Sequence, residues 1–244
     1  AIKKCLKKLF YHHDSLRATY HYKNNVWLQK ITTTYNIEEA FNEITEINDK
    51  GFSEKCIELK SSFQLNRGPL FKAILFRQSS SDLLLFVAHH LVIDAVSWRI
   101  ILEDFNQLYF QYINNKEFKL PLKTDSISYW VKIIEKYAIS EQLNKEKDYW
   151  NNVVSESIDI LPRKQNSSVS YYGDVKTESF ELSQHNTKTL VGECYKAYKT
   201  DINDILVTAV SSAVHDIFDL KNIRLGMEGH GRENIVENLD VTRT

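Results

Sequence analysis

Ile2, Cys5, Leu6, Leu9 and Phe10 recur at helical spacing from the first residues, which predicts a helix running to about His13. Extended stretches follow around Leu16–Tyr22 and Val26–Ile31, and Asn24-Asn25 between them reads as the turn of a hairpin. Residues 37–60 are polar and charged at helical spacing and are expected to form a solvated helix pair. Two apolar runs, Leu70–Phe76 and Leu83–Ala88, are joined by Gln78-Ser79-Ser80-Ser81-Asp82. They predict a hairpin of buried strands whose second member delivers His89 and His90 at its C-terminal end.

From Val96 onward the period lengthens. Ile101, Phe105, Leu108, Tyr109 and Tyr112 share a helical face, with Glu103, Asp104, Asn106 and Gln107 set mostly opposite. Further helices are expected over residues 126–138 and 141–153. Residues 154–172, with Pro162 and Ser167-Ser168, form the best linker candidate. Val175–Leu182 then predicts a strand entering a second lobe. Asp201–Phe218 predicts a helix capped by Thr200 or Asp201, and Ile223–Met227 a short strand presenting Glu228 at its end. The expected division is a first lobe over 1–160 and a partial second lobe over 161–244. The opening helix has no upstream cap and Leu239–Thr244 has no closing element, so both ends read as cuts within a longer polypeptide.

Composition narrows the class. The chain has 244 residues, 43% hydrophobic and 26% charged, enough to bury a sizeable core. A net charge of -1 gives no general case for nucleic acid. Cys5, Cys56 and Cys194 are scattered and form neither a disulfide framework nor a CxxC metal site, which suits a reducing, cytoplasmic setting. No apolar run approaches the roughly 20 residues that span a bilayer, so no membrane partner is expected. The histidines lack ligand spacing with cysteine, and neither a P-loop nor a GxGxxG follows a strand. No metal, nucleotide or other bound cofactor is implied.

The candidate chemistry lies in two motifs far apart: His89-His90-Leu91-Val92-Ile93-Asp94 and Glu228-Gly229-His230-Gly231-Arg232-Glu233. Each places titratable side chains beside a predicted strand end, where a rigid scaffold can hold a proton-transfer group. Together they offer an imidazole and a carboxylate that could share one substrate proton between them.

The run HHLVIDAVSWRIILEDF at 89–105 resembles the signature of the condensation superfamily of nonribosomal peptide synthetases, whose core is HHxxxD. His12-His13-Asp14-Ser15-Leu16-Arg17-Ala18-Thr19-Tyr20, Asn66-Arg67-Gly68-Pro69-Leu70-Phe71 and Asp201-Ile202-Asn203-Asp204-Ile205-Leu206 resemble further segments of that family. The resemblance therefore covers nearly the whole chain. Within the superfamily, Asp94-Ala95-Val96-Ser97-Trp98-Arg99 and, more specifically, EGHGRE at 228–233 resemble the epimerization branch.

The resemblance implies an α/β (α+β) fold, a two-lobed pseudodimer like chloramphenicol acetyltransferase with its second lobe incomplete. It implies an amino-acid epimerase, an isomerase domain of secondary metabolism and antibiotic biosynthesis, with His90 and Glu228 as the acid/base pair. Which of the two deprotonates stays open, as does a one-base route with the other group stabilising the enolate. The substrate would arrive on the 4'-phosphopantetheine of a peptidyl carrier protein, with neighbouring synthetase domains in cis.

Supporting roles are expected of six residues. Asp94 holds the motif's turn by pairing with an arginine, for which Arg17 is the candidate. His89 is a packed, hydrogen-bonded neighbour. Trp98 packs under the motif or lines the substrate tunnel that the resemblance implies between the lobes. His230 makes a structural hydrogen bond or meets the enolate or the pantetheine. Arg232 holds a carboxylate or the carrier's phosphate, and Gly229 and Gly231 allow positive φ or close approach. Two alternatives are carried: a condensation domain forming an amide between carrier-bound substrates, and an inactive fragment that only docks a carrier. EGHGRE argues against the first, and intact His90, Asp94 and Glu228 against the second.

Overall fold

The computed structural model describes residues 1–45, 48–162, 173 and 175–244. These fall into two units: Ala1–Asn144 with Gly229–Thr244, and Lys145–Glu228. Beside the lobes expected from sequence, 1–160 and 161–244, the first unit also takes in residues 229–244, tied to it through the side chains of Arg232 and Arg243.

The first unit opens with α1 (Ile2–His12), whose Cys5, Leu6, Leu9 and Phe10 are buried. A 3-10 turn over Asp14–Arg17 leads into β1 (Ala18–Lys23), which pairs antiparallel with β2 (Val26–Ile31). Asn24 and Asn25 take φ of 52° and 60° in the tight turn between them, the left-handed pair that a two-residue hairpin requires. Next come α2 (Ile37–Ala40), β3 (Phe41–Thr45) and α3 (Asp49–Ser61). The expected helix pair over 37–60 is thus interrupted by a strand. Phe41–Thr45 runs parallel to β4 (Phe71–Arg77), and this long-range pairing overrides the local polar pattern.

β4 pairs antiparallel with β5 (Leu83–Ala88), placing Phe71 opposite Ala88. The middle strand of the order β3-β4-β5 is covered on both faces. Phe71 and Ala73 join a core with residues of α1 and α4 (Ala95–Ile113), while Ile74 and Phe76 pack with Leu59 and Phe52 of α3. Alternate side chains of one strand thereby serve two apolar layers. α5 (Ile127–Ala138) and α6 (Glu141–Asn144) follow.

The second unit contains α7 (Lys147–Ser155), α8 (Gln184–Gly192), α9 (Cys194–Tyr198) and α10 (Ile202–Phe218). Asp201 caps α10 in a reciprocal box with Asp204. The expected linker lies outside the described residues from 163 to its end. Two expected strands, Val175–Leu182 and Ile223–Met227, are irregular instead. Neither has a strand to hydrogen-bond with among the described residues, and a strand's ladder needs a neighbour. None of the described helices is long and apolar enough to cross a membrane.

Candidate functional site

His90 stands at the junction of β5 and α4. The His89 N–H donates to Leu70 O at 2.8 Å, carrying the β4–β5 pairing one step beyond the strand. The His89 Nδ1 accepts the Leu91 N–H at 3.2 Å, so this imidazole caps the 3-10 turn His90–Val92. Its ring also lies edge-on to Phe63, with centroids 6.2 Å apart. Val92 is buried with Ala18 and Leu70 beneath the turn. The chain is thus fixed on either side of His90 while the His90 side chain is exposed at the rim of a cavity of about 310 Å³. Among the described residues its ring makes no hydrogen bond, which leaves both nitrogens to a substrate.

Asp94 begins α4. Its Oδ1 accepts the Ser97 N–H and hydroxyl, both at 2.7 Å, satisfying a free donor of the first helical turn. Its Oδ2 accepts Arg232 Nη1–H at 2.6 Å. Partial burial works against ionisation, but the Arg232 guanidinium and the two Ser97 donors outweigh it and hold Asp94 well below the usual carboxylate range. Arg17, expected as this partner, is committed elsewhere. It donates to the carbonyls of Phe10, Tyr11 and Thr32 and to Asp14. The correction has a plain cause: Arg17 closes the turn between α1 and β1, where local carbonyls consume its donors.

Arg232 is fully engaged by the protein. Besides Asp94 it donates to Ser97 Oγ at 3.1 Å, His230 O at 3.0 Å and Thr244 O at 2.7 Å. Of the two ligands considered for it, it holds the carboxylate. The turn that aims it passes through Gly231 at φ 69°, and His230 Nδ1 accepts the Arg232 N–H at 2.9 Å. His230 is otherwise exposed, 3.8 Å from Glu233 Oε1. Trp98 packs in the core against Phe71, with ring centroids 6.0 Å apart. Glu228 is an exposed residue at the C-terminal end of the second unit.

Sequence reasoning missed a second anchor. Asp104, assigned to the solvent side of α4, is 1% exposed. It accepts from Arg243 Nη2 at 2.6 Å and lies 2.8 Å from His13 Nε2. Burial opposes its charge, yet the His13 hydrogen bond and the Arg243 charge hold it below the usual carboxylate range. The signal was in the spacing: Asp104 is three residues after Ile101 and four before Leu108, both buried. His12, His13 and Asp104 also place ligand atoms within 4.8 Å of one another. Arg243 already occupies one oxygen of that carboxylate, and the Lys123 ammonium contributes to depressing the His12 pKa after burial and His13, surroundings that disfavour a cation.

A family model described as Condensation domain matches residues 1–244. Bacitracin synthase 3 of Bacillus licheniformis is 36% identical over 252 residues, a match taking in 100% of this chain and 4% of that protein. Bacitracin synthase 2 of the same organism is 33% identical over 250 residues, covering 100% of this chain and 10% of that protein. The solved epimerization domain from the third module of tyrocidine synthetase B matches with a TM-score of 0.88 at 35% identity, over 100% of this chain and 55% of that one. A starter condensation domain of rhizomide synthetase reaches 0.53 at 16% identity over 64% of this chain and 37% of that one, a likeness of fold alone. The chain thus spans a tenth or less of these two curated relatives and 55% of the solved epimerization domain.

Proposed function

The chain belongs to the condensation-domain family, and from that premise we propose that it inverts the Cα centre of an aminoacyl or peptidyl residue held as a thioester on a peptidyl carrier protein. The observation that carries this reading is the likeness, at 35% identity and over the whole chain, to a solved epimerization domain, together with EGHGRE at 228–233. His90 is the imidazole of the pair. Its backbone is braced on both sides, its ring makes no hydrogen bond among the described residues, and it borders a cavity of about 310 Å³. Glu228 is the carboxylate. The thioester carbonyl delocalises the charge left when the Cα–H bond breaks, so moderate acids and bases suffice. Asp94, Arg232 and His89 hold the turn and take no proton. The 4'-phosphopantetheine arm belongs to the substrate, delivered by the carrier and, in cis, by neighbouring synthetase domains.

A condensation reaction is the second reading, favoured by the description of the family model itself. There His90 would assist an amine attacking the thioester. One experiment separates the two. A carrier bearing an L-aminoacyl phosphopantetheine is incubated in deuterated water with this chain extended to the full length of its solved relative. Deuterium uptake and the D/L ratio are followed for the wild type, His90→Ala and Glu228→Gln. Epimerization predicts exchange with D-product, reduced roughly 10²- to 10⁴-fold in either variant. No exchange, with amide formation once a second carrier is supplied, assigns the chain to condensation.

A further inference from the structure

We infer that Tyr20 is a positioning residue for His90, acting through the carbonyl of Leu91, with Gln29 orienting its hydroxyl; this rests on the reading of His90 as an acid/base group. Tyr20 Oη donates to Leu91 O at 2.6 Å, and Gln29 Nε2 donates to Tyr20 Oη at 3.0 Å. Tyr20 and Gln29 face each other directly across the β1–β2 pair, so the amide and the phenol share one face of the hairpin. The Tyr20 ring packs with Ala18, Leu70 and Val92, and its N–H donates to Leu65 O at 2.7 Å. Phenol, turn and scaffold are thereby a single packed body.

The placement explains why a tyrosine is useful here. Before His90 in the chain, the His89 N–H is held by Leu70 O; after it, the Leu91 carbonyl is held by Tyr20. His90 itself is left exposed between two fixed neighbours. A general base must sit within hydrogen-bond reach of one particular proton, and a shift of about 1 Å can cost about 100-fold in rate. A turn of three residues cannot supply that precision from its own hydrogen bonds. Burial raises the Tyr20 pKa above its ordinary value, with Gln29 opposing the rise. The hydroxyl therefore remains a neutral donor at neutral pH.

The test uses the same full-length domain and carrier-bound substrate, with kcat and KM for Cα exchange measured well below the melting temperature. Tyr20→Phe keeps the ring and deletes the hydroxyl, removing both the donor to Leu91 O and the acceptor for Gln29 Nε2–H. It should lower kcat roughly 10- to 100-fold with KM unchanged and the fold intact. Gln29→Leu should lower kcat by a smaller factor, and the double variant should be no slower than Tyr20→Phe alone, since the amide acts through the phenol. Wild-type kcat in Tyr20→Phe, with only a lower melting temperature and with His90→Ala inert, overturns the positioning role and leaves the epimerization reading standing. Full exchange by His90→Ala removes that reading and this inference with it. Should Tyr20→Phe fail to fold, Gln29→Leu decides: lost kcat supports the role, and an unchanged kcat overturns it.

Discussion

Asp94 and Arg232, 138 positions apart, meet at 2.6 Å between Oδ2 and Nη1. The contact ties the residue that caps α4 to Arg232 of the EGHGRE segment, so the HHLVID turn and residues 229–233 are joined within the first unit, whereas Glu228 belongs to the second. Asp94 cannot serve as a proton donor in this arrangement, because both its oxygens are committed to Ser97 and Arg232. Its work is to fix the end of the loop that begins at His89.

Arg232→Lys should therefore not behave as a conservative change. An ammonium can replace the charge but cannot span Asp94, Ser97 Oγ, His230 O and Thr244 O at once. The Asp94 cap survives, so the cost comes from a half-buried carboxylate losing its fork. A loss of about 1–3 kcal/mol is expected for Arg232→Ala, with Arg232→Lys recovering only part of it. Urea unfolding of the two variants beside the wild type measures this. Equal stability of all three would dismiss the clamp.

Much of this was legible in the chain because the relevant forces are local. The Asn24-Asn25 turn, the β4–β5 hairpin and the Asp201 cap depend on residues within a few positions of each other. The two motifs were visible for the same reason. What was not legible depended on distant partners. Nothing near Asp94 chooses among arginines, and Arg17 is taken up by the carbonyls of Phe10, Tyr11 and Thr32 and by Asp14. Phe41–Thr45 becomes a strand because β4 lies alongside, whereas Val175–Leu182 stays irregular for want of such a neighbour among the described residues. Asp104 is a different kind of miss. Its helical spacing pointed inward while a carboxylate ordinarily faces solvent, and the partners that let it be buried, Arg243 and His13, are far away in the chain.

Gly231 lends itself to a sharper test than most glycines. Its φ is 69°, and a Cβ built there meets nothing within 4 Å. Any penalty for Gly231→Ala is then conformational and not steric crowding, about 1–2 kcal/mol. Gly231→Asn should recover part of it, because asparagine tolerates the left-handed region. Thermal melts of the two variants decide the point, and identical penalties for Ala and Asn would contradict it.

In the second unit, Asp201 Oδ1 accepts the N–H groups of Asn203 and Asp204 at 2.7 and 3.2 Å, while Asp204 Oδ2 accepts the Asp201 N–H at 3.1 Å. Asp201→Ala removes one half of this box and should cost about 1 kcal/mol, with Asp201→Ser nearly neutral. Hydrogen exchange should show the loss first in the opening turn of α10. Uniform deprotection of the whole helix would instead mean that the cap governs more than the end it covers.

Asp104 predicts how the first unit responds to acid. Its carboxylate is buried, bonded to Arg243 on one oxygen and close to His13 on the other, with Glu103 3.5 Å from Arg243 as a competing carboxylate. Because the folded pKa lies below the unfolded one, the unfolded state takes up the proton first as pH falls. The stabilisation is complete above the unfolded value of about 3.9 and disappears between that value and the folded one. Asp104→Asn should destabilise the unit by about 3 kcal/mol at neutral pH, since Arg243 and His13 lose their common anion. The gap between wild type and variant should stay constant down to about pH 4 and then close. A pH series of urea midpoints for the two proteins tests both the size and the sign. A gap that widens in acid would mean that the Asp104 carboxyl binds its proton more tightly when folded, reversing the account of this core.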